Sequence, residues 1–505
     1  MMQNYKFISS FFLLLQTKLK KMKRVFLIIF QILVFLTLFG QKPVKNVIIM
    51  IPDGAALSLV SLSRYYNQWL TGNPDTALAM DPYLCAFVRS TCSDAPIGDS
   101  APTGSCYATG QPAMKGNISI YPLPSGQDLY PIDSSKSYQP LTTLLECARL
   151  EKKSTGLVVT CEFSHATPAS FGSHHYDRGS EEILTKQMVY NNIDLVLGGG
   201  TKYLEPHYEY LQSKGYQILT NKQDLFNCKN TKFWGAFDRV ELPYFIDQDT
   251  ATIPTLAEMT QKALETLSQN PNGFFLMVEG SLVDWALHNQ DAKTAMLEFL
   301  EFNKAVEKVL QFAIQDGQTL VVILPDHGTS GISMGNENST IGYYKKSLNQ
   351  FFEPLNIQTK SLKLNPVLRT KLHKTSLIGF TTLGHTGEDL FLAVYNPNNK
   401  TPKGHIKNFQ INPFICQEAG WEGKLADITD SIYVPHYQVY TQVQGEINDQ
   451  DKLNPTLTYV IDGKKIVYYG FTNYATIDDQ KVEFSSVIVY IDKNKTFYIP
   501  KRKIL

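Results

Sequence analysis

Carboxylates and histidines recur along this 505-residue sequence at spacings that suit divalent-metal chemistry. Asp284 and His288 are four residues apart, so in a helix they would share one face. A hydrogen-bonded pair on a solvated helix would explain these two alone, but Asp326, His327 and His385 add further oxygen and nitrogen donors. Cations held by imidazole and carboxylate, with open positions, are typical of a catalytic site rather than a structural one. The pattern predicts a centre with two such cations.

A run of small residues predicts where a nucleophile would lie. Gly98-Asp99-Ser100 precedes a stretch that favours a helix up to Gly110, which puts Ser100 at a helix start. There a serine oxygen meets free backbone N–H groups and the positive end of the helix dipole, which suits a phosphate or a developing alkoxide. A serine that only caps the helix would give the same sequence pattern. The neighbouring acidic residues favour the functional interpretation.

Three strongly apolar runs position these groups, and they lead into Asp53, Glu279 and Asp326. Runs of β-branched and other apolar residues without polar alternation fit strands buried on both faces, as in a parallel sheet covered by helices. Because ligands bind outside the carboxyl ends of such strands, acids at these ends project into shared space. One acid at a strand end is often only a turn or cap residue, but three such acids, the third followed by His327, favour a site.

The rest of the pattern predicts an α/β fold with a large, mostly parallel central sheet flanked by helices, because apolar runs alternate with helical stretches. We expect strands over residues 155–160 and 193–198, and helices over residues 253–268 and 291–312.

The chain after its first 40 residues exceeds the usual size of one compact core and predicts more than one part. Residues 41–424 form the predicted α/β catalytic domain, and an insertion at about 328–382, rich in Asn, Ser and Lys, is expected to cover the site. Residues 425–505 change to a period of two without a convincing helix. This segment predicts a small β-rich module with hairpins at 458–469 and 486–500.

Residues 1–40 predict a secretory signal peptide, with Met22 as an alternative start. Lys23-Arg24 precedes an apolar stretch that is short for a bilayer span of roughly 20 residues. An uncleaved signal would instead act as a membrane anchor. The prediction is an exported protein, periplasmic or secreted.

Charge and cysteine content argue against other classes. Forty-seven basic and 47 acidic residues balance, so bulk electrostatics offers no support for nucleic-acid binding. The seven cysteines form no CxxC pair, which argues against thiolate zinc sites and thioredoxin-like redox chemistry. Export would permit disulfides, but no pairing follows from the sequence, and Cys106 fits a buried small hydrophobe.

From about Val44 to Trp421 the chain resembles an alkaline phosphatase, through five blocks that occur in the family's order. The resemblance implies two zinc ions and one magnesium ion as cofactors. The implied ligands are Asp284, His288 and His385 for the first zinc, Ser100, Asp326 and His327 for the second, and Thr167, Glu279 and Asp53 for the magnesium, with Asp53 bridging to the second zinc.

The resemblance also implies the catalytic roles. Ser100 would be the nucleophile, Arg178 would clamp the phosphate, and Asp99 would orient Arg178. The implied activity is hydrolysis of small phosphomonoesters of broad range through a covalent phosphoserine. A homodimer is implied as well.

The chain departs from the family pattern at several positions. Its segment Pro52-Asp53-Gly54-Ala55-Ala56 keeps the ligand but alters the usual opening loop, and His165 and Trp285 stand where some bacterial members have Asp and Lys. These two positions affect occupancy of the magnesium site and turnover. His174 and His175 are interpreted as structural. Four histidines without ligand spacing are expected at the surface: His207, His373, His405 and His436.

Two other functions stay open at this point. A phosphodiesterase or phosphonate hydrolase of the same superfamily would share the metals but usually differs around Ser100 and Arg178. A non-catalytic, metal-stabilised surface protein, whose β module binds a partner, would have replaced those residues. Their retention favours phosphomonoester hydrolysis.

Overall fold

The structure, a computed structural model, describes residues 21–23, 42–335, 348–362 and 365–502. The chain divides into two compact units, Met1–Pro43 and Val44–Leu505. Apart from residues 21–23, which are helical, the predicted signal peptide lies outside the described residues. In the part of the chain that is described, no helix is long and apolar enough to cross a membrane.

The strands of the second unit are, in chain order, β1 Asn46–Pro52, β2 Leu84–Arg89, β3 Ser154–Glu162, β4 Leu195–Gly199, β5 Gln217–Leu219, β6 Phe233–Ala236, β7 Phe274–Gly280, β8 Thr319–Ile323, β9 Gly328–Thr329, β10 Ser333–Met334, β11 Ile378–Gly379, β12 His385–Thr386, β13 Leu390–Tyr395, β14 Gly404–Lys407, β15 Val434–Pro435, β16 Glu446–Asn448, β17 Thr456–Ile461, β18 Lys464–Tyr469, β19 Tyr474–Ile477, β20 Gln480–Glu483, β21 Val489–Ile491 and β22 Thr496–Ile499.

Its α-helices are α1 Leu57–Thr71, α2 Ser100–Thr109, α3 Leu144–Leu150, α4 Ala166–Gly172, α5 Glu181–Tyr190, α6 Thr201–Leu204, α7 Tyr208–Ser213, α8 Lys222–Asn227, α9 Leu256–Leu267, α10 Leu282–His288, α11 Ala292–Asp316, α12 Leu348–Phe352, α13 Pro366–Ser376, α14 Ile411–Ala419, α15 Lys424–Ile432 and α16 His436–Val439. Short 3₁₀ helices lie at Asp81–Tyr83, Ser134–Lys136, Glu205–His207, Glu353–Ile357 and Asn408–Gln410.

The central sheet has ten strands in the order β14-β2-β13-β8-β1-β7-β3-β4-β6-β5. Strand β13 runs antiparallel to both of its neighbours, and the other pairs of this sheet are parallel. The predicted α/β fold with a mostly parallel sheet is therefore confirmed. The strands expected over 155–160 and 193–198 are β3 and β4, and the two expected helices are α9 and α11.

Helices cover both faces of the sheet, which is why its strands lack polar alternation. Along β1 all seven residues are buried, and successive side chains enter opposite cores. Ile48 and Met50 pack into the core that contains α9, α10 and α11. Val47, Ile49 and Ile51 pack into the core that contains α2, α3 and α4.

The pairing register brings the acidic residues to one edge of the sheet. Ile51 of β1 is paired with Glu279 of β7, and β8 ends beside Met50 of β1. Asp53 directly follows β1, and Asp326 lies three residues beyond the end of β8. These three carboxylates therefore reach the same side of the fold.

The described parts of residues 328–382 form short ladders and helices. Strand β10 pairs with β11, and β9 pairs with β12. Phe352 of α12 packs against Tyr66 and Trp69 of α1, which attaches this segment to the α/β core. Its role as a cover over the site stays a prediction.

The C-terminal segment contains the predicted hairpins but also two helices that were not predicted, α15 and α16. Strands β16 to β20 form an antiparallel sheet in chain order, and β15, β22 and β21 form another. The hairpins expected at 458–469 and 486–500 are confirmed as β17–β18 and β21–β22. The expectation of no helix was wrong, because Leu425, Ile428 and Ile432 of α15 have helical spacing and pack inward. The proposed boundary at residue 424 stays a prediction.

Two of the four histidines expected at the surface are buried. His373 and His436 are each 9% exposed, so that expectation was wrong for them. His436 Nδ1 accepts a hydrogen bond from the Phe497 backbone N–H at 3.2 Å, which fixes its ring inside the C-terminal segment. His207 and His405 keep exposed surface.

The cysteines are all free, and six of the seven are buried. Cys106 is 0% exposed, as expected of a small hydrophobe in the helix α2.

Glu298 of α11 is a buried carboxyl group that lies among other acids. It is 5% exposed, and its Oε1 accepts a hydrogen bond from the Phe245 backbone N–H at 2.5 Å. Burial, with repulsion from Glu301 and Asp247, raises the pKa of Glu298 from 4.5 to about 8. Between about pH 4.5 and pH 8 the folded protein therefore keeps a proton on Glu298 that the unfolded chain releases. The free energy of unfolding therefore falls as pH rises through this range.

We expect Glu298→Gln to stabilise the protein increasingly as pH rises from about 5 to 8, because glutamine is neutral without a proton. The expected gain at pH 8 is roughly 1–3 kcal/mol in the free energy of unfolding, measured by urea denaturation at several pH values. Glu301→Gln is the control, since Glu301 is also 5% exposed but is paired with Lys304 at 2.8 Å. A difference from wild type that does not change with pH would contradict this expectation.

Candidate active site

Three carboxylates meet at the carboxyl edge of the sheet, and each is 0% exposed: Asp53, Glu279 and Asp326. Asp326 Oδ1 accepts hydrogen bonds from the backbone N–H groups of Gly54 and His327, at 3.1 and 3.0 Å. Within the described residues, both oxygens of Asp53 and one oxygen each of Glu279 and Asp326 have no hydrogen-bond partner. Buried polar atoms without partners are costly, so this cluster favours a bound cation.

The negative charges of these carboxylates repel one another. Burial, with repulsion from Asp326, raises the pKa of Asp53 well above its usual value. Burial and the same neighbour raise the pKa of Glu279 to about 8. A divalent cation would remove the repulsion that the protons otherwise relieve.

The loop after Asp53 keeps the one glycine that its geometry requires. Gly54 has φ of 72°, a left-handed conformation that L side chains rarely adopt. A Cβ atom there would also lie 2.7 Å from both Asp284 Oδ1 and Thr329 Oγ1. The altered opening sequence therefore still allows the close approach of Asp53 to the site.

Ser100 is the first residue of α2, at the helix start that the sequence predicted. Its Oγ lies 3.1 Å from His327 Nε2. The same nitrogen is 3.4 Å from Asp53 Oδ1 and 3.2 Å from Asp326 Oδ2. The structure thus brings together the residues that the resemblance implied for the second zinc.

A second group forms around the helix α10. His288 Nε2 lies 3.2 Å from Asp284 Oδ2, four residues earlier on the same helix face. His385 Nε2 lies 4.0 Å from Asp284 Oδ1. The three residues implied for the first zinc are therefore also neighbours.

Like atoms of two histidines face each other in this group. His288 Nδ1 is 2.5 Å from the Leu383 carbonyl oxygen and His385 Nδ1 is 3.0 Å from the Gly98 carbonyl oxygen, so both Nδ1 atoms must donate. In neutral rings both Nε2 atoms then carry lone pairs, and they are 3.2 Å apart. Such an arrangement is stable only with a proton or a cation at the nitrogens.

The ionisation of this group follows from its contacts. The hydrogen bond with Asp284 raises the pKa of His288 to about 9. Burial alone would raise the pKa of Asp284, but the hydrogen bond from His288 and the charge of His327 lower it. The group therefore contains an ionised carboxylate that is buried beside imidazoles, as a zinc site requires.

The donors fit divalent cations in number and spacing. Three groups each offer ligand atoms within 4.8 Å of one another: Asp284, His327 and His385; Asp53, Asp326 and His327; and Cys161, His165 and Glu279. The first two contain imidazole and carboxylate only, which suits zinc at a catalytic position.

Arg178 is held beside the nucleophile. Its Nη1 donates to Asp99 Oδ1 at 2.9 Å, and Asp99 precedes Ser100 in the chain. Burial alone would raise the pKa of Asp99, but the charge of Arg178 lowers it, so the pair is ionised. A guanidinium fixed in this way presents its remaining N–H groups as a fork for an anion.

Two residues in the site were not predicted as site residues. His165 was treated only as a departure from the family, but its Nε2 lies 3.0 Å from Arg178 Nη2 and its ring packs edge-on against Trp285. Cys161 lies beside Glu279. Cys161 directly follows the strand expected over 155–160. A position just after an apolar strand is the signal that identified the acidic residues, and it could have identified Cys161.

Thr167 of α4, predicted for the magnesium site, is 0% exposed, and its Oγ1 has no hydrogen-bond partner among the described residues. His174 has a structural environment, as expected. It is buried, and its Nε2 lies 3.0 Å from Glu146 Oε1 and 2.8 Å from the Tyr433 hydroxyl.

Comparison with known proteins agrees with this geometry. The family model of alkaline phosphatase matches residues 44–420. Alkaline phosphatase 3 of Bacillus subtilis (strain 168) is 30% identical over 447 residues, which cover 77% of this chain and 92% of that protein.

Solved structures show the same fold. The cold-active alkaline phosphatase of the psychrophile Shewanella sp. has 32% sequence identity and a TM-score of 0.63, and the match covers 74% of this chain and 99% of that chain. The alkaline phosphatase of the Antarctic bacterium TAB5, at 24% identity, has a TM-score of 0.60 over 75% of this chain and 99% of that chain. With the family model matched over most of its length, the chain belongs to the alkaline phosphatase family and is a phosphatase enzyme.

Proposed function

We propose that the protein hydrolyses small phosphomonoesters of many kinds and releases inorganic phosphate through a covalent phosphoserine on Ser100. The observation that carries the proposal is the position of Ser100 at a buried helix start, 3.1 Å from His327 and next to the Asp99–Arg178 pair. A hydroxyl nucleophile, a helix N-terminus and a guanidinium fork are the groups that receive and bind a phosphoryl group.

Ser100, Arg178 and Asp99 have different roles in the proposed reaction. Ser100 Oγ loses its proton to solvent and forms a bond to phosphorus while the bond to the leaving oxygen breaks, and the leaving oxygen takes up a proton. Water then attacks this phosphorus, which releases inorganic phosphate and restores the serine hydroxyl. Arg178 binds two equatorial phosphate oxygens, and Asp99 keeps the guanidinium in place. Because the leaving group needs few contacts, we propose broad specificity.

We further propose two zinc ions and one magnesium ion as cofactors. Asp284, His288 and His385 would hold the first zinc, and Ser100, Asp326 and His327 the second. Asp53, Thr167 and Glu279 supply the oxygen donors that magnesium prefers. When bound, such cations lower the pKa of a coordinated hydroxyl or water and stabilise a leaving oxygen.

A solved structure with the same fold contains magnesium, but it does not assign the third ion of this chain. A histidine-to-aspartate mutant of the TAB5 alkaline phosphatase has magnesium bound in its M3 site. At 24% identity that protein shows the fold alone. The magnesium assignment in this chain therefore rests on its own buried oxygen atoms.

The experiment that tests the function compares a phosphomonoester with a phosphodiester. The mature chain, supplied with zinc and magnesium, is assayed on p-nitrophenyl phosphate and on bis(p-nitrophenyl) phosphate across pH. We expect hydrolysis of the monoester to dominate and to rise toward alkaline pH. A folded, zinc-loaded protein that hydrolyses only the diester, or neither ester, would overturn the proposal.

Arg178→Lys is expected to lower kcat/KM for p-nitrophenyl phosphate by about 10- to 100-fold, because lysine cannot bind two phosphate oxygens as a fork. The matched control is Arg64→Lys. Arg64 forms a similar pair with Asp81 away from the site, and both arginine side chains are 28% exposed. Equal losses in the two variants would mean that Arg178 acts on the fold and not on phosphate.

Export and the homodimer stay predictions. Fractionation of expressing cells and N-terminal sequencing test the first, and sedimentation of the purified chain tests the second.

A further inference from the structure

One group of metal donors in the site contains a sulfur atom. Cys161, His165 and Glu279 each place a ligand atom within 4.8 Å of the others. Cys161 is 0% exposed, and its Sγ is 3.7 Å from Glu279 Oε2. Among the described residues, none of the other six cysteines belongs to a group of this kind.

Oxygen atoms of the residues proposed for the third cation lack hydrogen-bond partners. Glu279 Oε1, Thr167 Oγ1 and both oxygens of Asp53 are buried without a hydrogen-bond partner in the described chain. All three residues are 0% exposed. Buried oxygens without a hydrogen-bond partner are costly, and a bound cation would stabilise them.

Cys161 is more available to such a cation than His165. Arg178 Nη2 lies 3.0 Å from His165 Nε2, and a guanidinium can only donate, so Nε2 carries the lone pair of the neutral ring. A cation would take that lone pair only by displacing Arg178. Cys161 gives up its thiol proton and a weak S–H contact with Glu279, and Arg178 is not displaced.

We propose that Cys161 binds, as a thiolate, the cation held by Asp53, Thr167 and Glu279. This site then accepts a borderline or soft divalent ion, such as zinc, cobalt or cadmium, in competition with magnesium. The inference rests on the third-ion site of the proposed function. Binding replaces the S–H bond by a sulfur–metal bond and releases one proton to solvent, with no change of oxidation state. Thiolates favour such ions, whereas magnesium favours oxygen ligands.

Cobalt provides the test, because a cobalt–thiolate bond has a charge-transfer absorption in the near ultraviolet. The full chain is freed of metal, loaded with two equivalents of zinc and then titrated with cobalt. We expect the band in wild type and in Cys147→Ser, and no band in Cys161→Ser. Cys147 is also 0% exposed but belongs to none of the metal-sized groups of the described residues. Excess magnesium should weaken the wild-type band.

Cadmium NMR of the wild-type chain needs no variant and covers the case in which Cys161→Ser does not fold. A strongly deshielded cadmium signal supports a sulfur ligand. Absence of both the cobalt band and such a signal would overturn the inference. If p-nitrophenyl phosphate is hydrolysed without either signal, only this inference fails. If the signals appear without hydrolysis, only the proposed function fails.

Discussion

Replacing Ser100 by alanine is expected to lower hydrolysis of p-nitrophenyl phosphate by about 10³-fold or more, because the atom that would form the bond to phosphorus is removed. The fold should persist. Asp99, not Ser100, is the N-cap residue of α2, and alanine favours a helix. The measurements are kcat and, after acid quenching with labelled substrate, the amount of phosphate that stays attached to the protein.

Ser105→Ala is the matched control on the same helix. Ser105 is 1% exposed, and its Oγ donates to the Asn117 carbonyl and accepts from the Ser119 N–H. Its loss should reduce stability by roughly 1–2 kcal/mol while hydrolysis and the labelled intermediate remain. Near wild-type turnover by Ser100→Ala, or label on another residue, would contradict the phosphoserine mechanism.

The site could be predicted where its chemistry follows the ends of strands. Asp53, Glu279 and Asp326 were expected to meet because parallel strands end at one edge, whatever their order in the sheet. Contacts between distant elements could not be predicted in this way. The contact between His165 and Arg178 depends on how α4 packs, and Tyr433 reaches Glu146 from a position 287 residues away.

The positions of several strands could be predicted from the sequence, but the direction of each individual strand could not. A fully buried run identifies a strand but not its direction, so the antiparallel β13 could not be distinguished from its parallel neighbours. The helix α15 was not predicted although Leu425, Ile428 and Ile432 have helical spacing, because it is short and strands with a period of two follow it.

Removing divalent cations with a chelator is expected to abolish hydrolysis and to lower the unfolding temperature by several degrees. Cations that bind only the folded chain stabilise it by about 4 kcal/mol at a free concentration roughly 1,000 times Kd. Because the pKa of Asp53 is raised and that of Glu279 reaches about 8 without metal, a cation must displace protons. The stabilisation should therefore grow as pH rises from about 6 to 8. Calorimetry with and without chelator measures it, and identical unfolding temperatures would contradict bound cations.

Asp53→Asn separates the two effects that this carboxylate has on stability. In chelator the variant should unfold at a higher temperature than wild type near pH 8, because asparagine is neutral without the proton that the buried Asp53 must otherwise bind. With zinc and magnesium it should unfold at a lower temperature, because a ligand is lost. Asp291→Asn is the control, since Asp291 is 1% exposed and caps α11 through the Thr294 N–H. Asparagine caps a helix about as well as aspartate, and any change in stability should be the same with and without cations. A change of sign in Asp53→Asn that Asp291→Asn does not share would assign the repulsion, and the cation that relieves it, to Asp53.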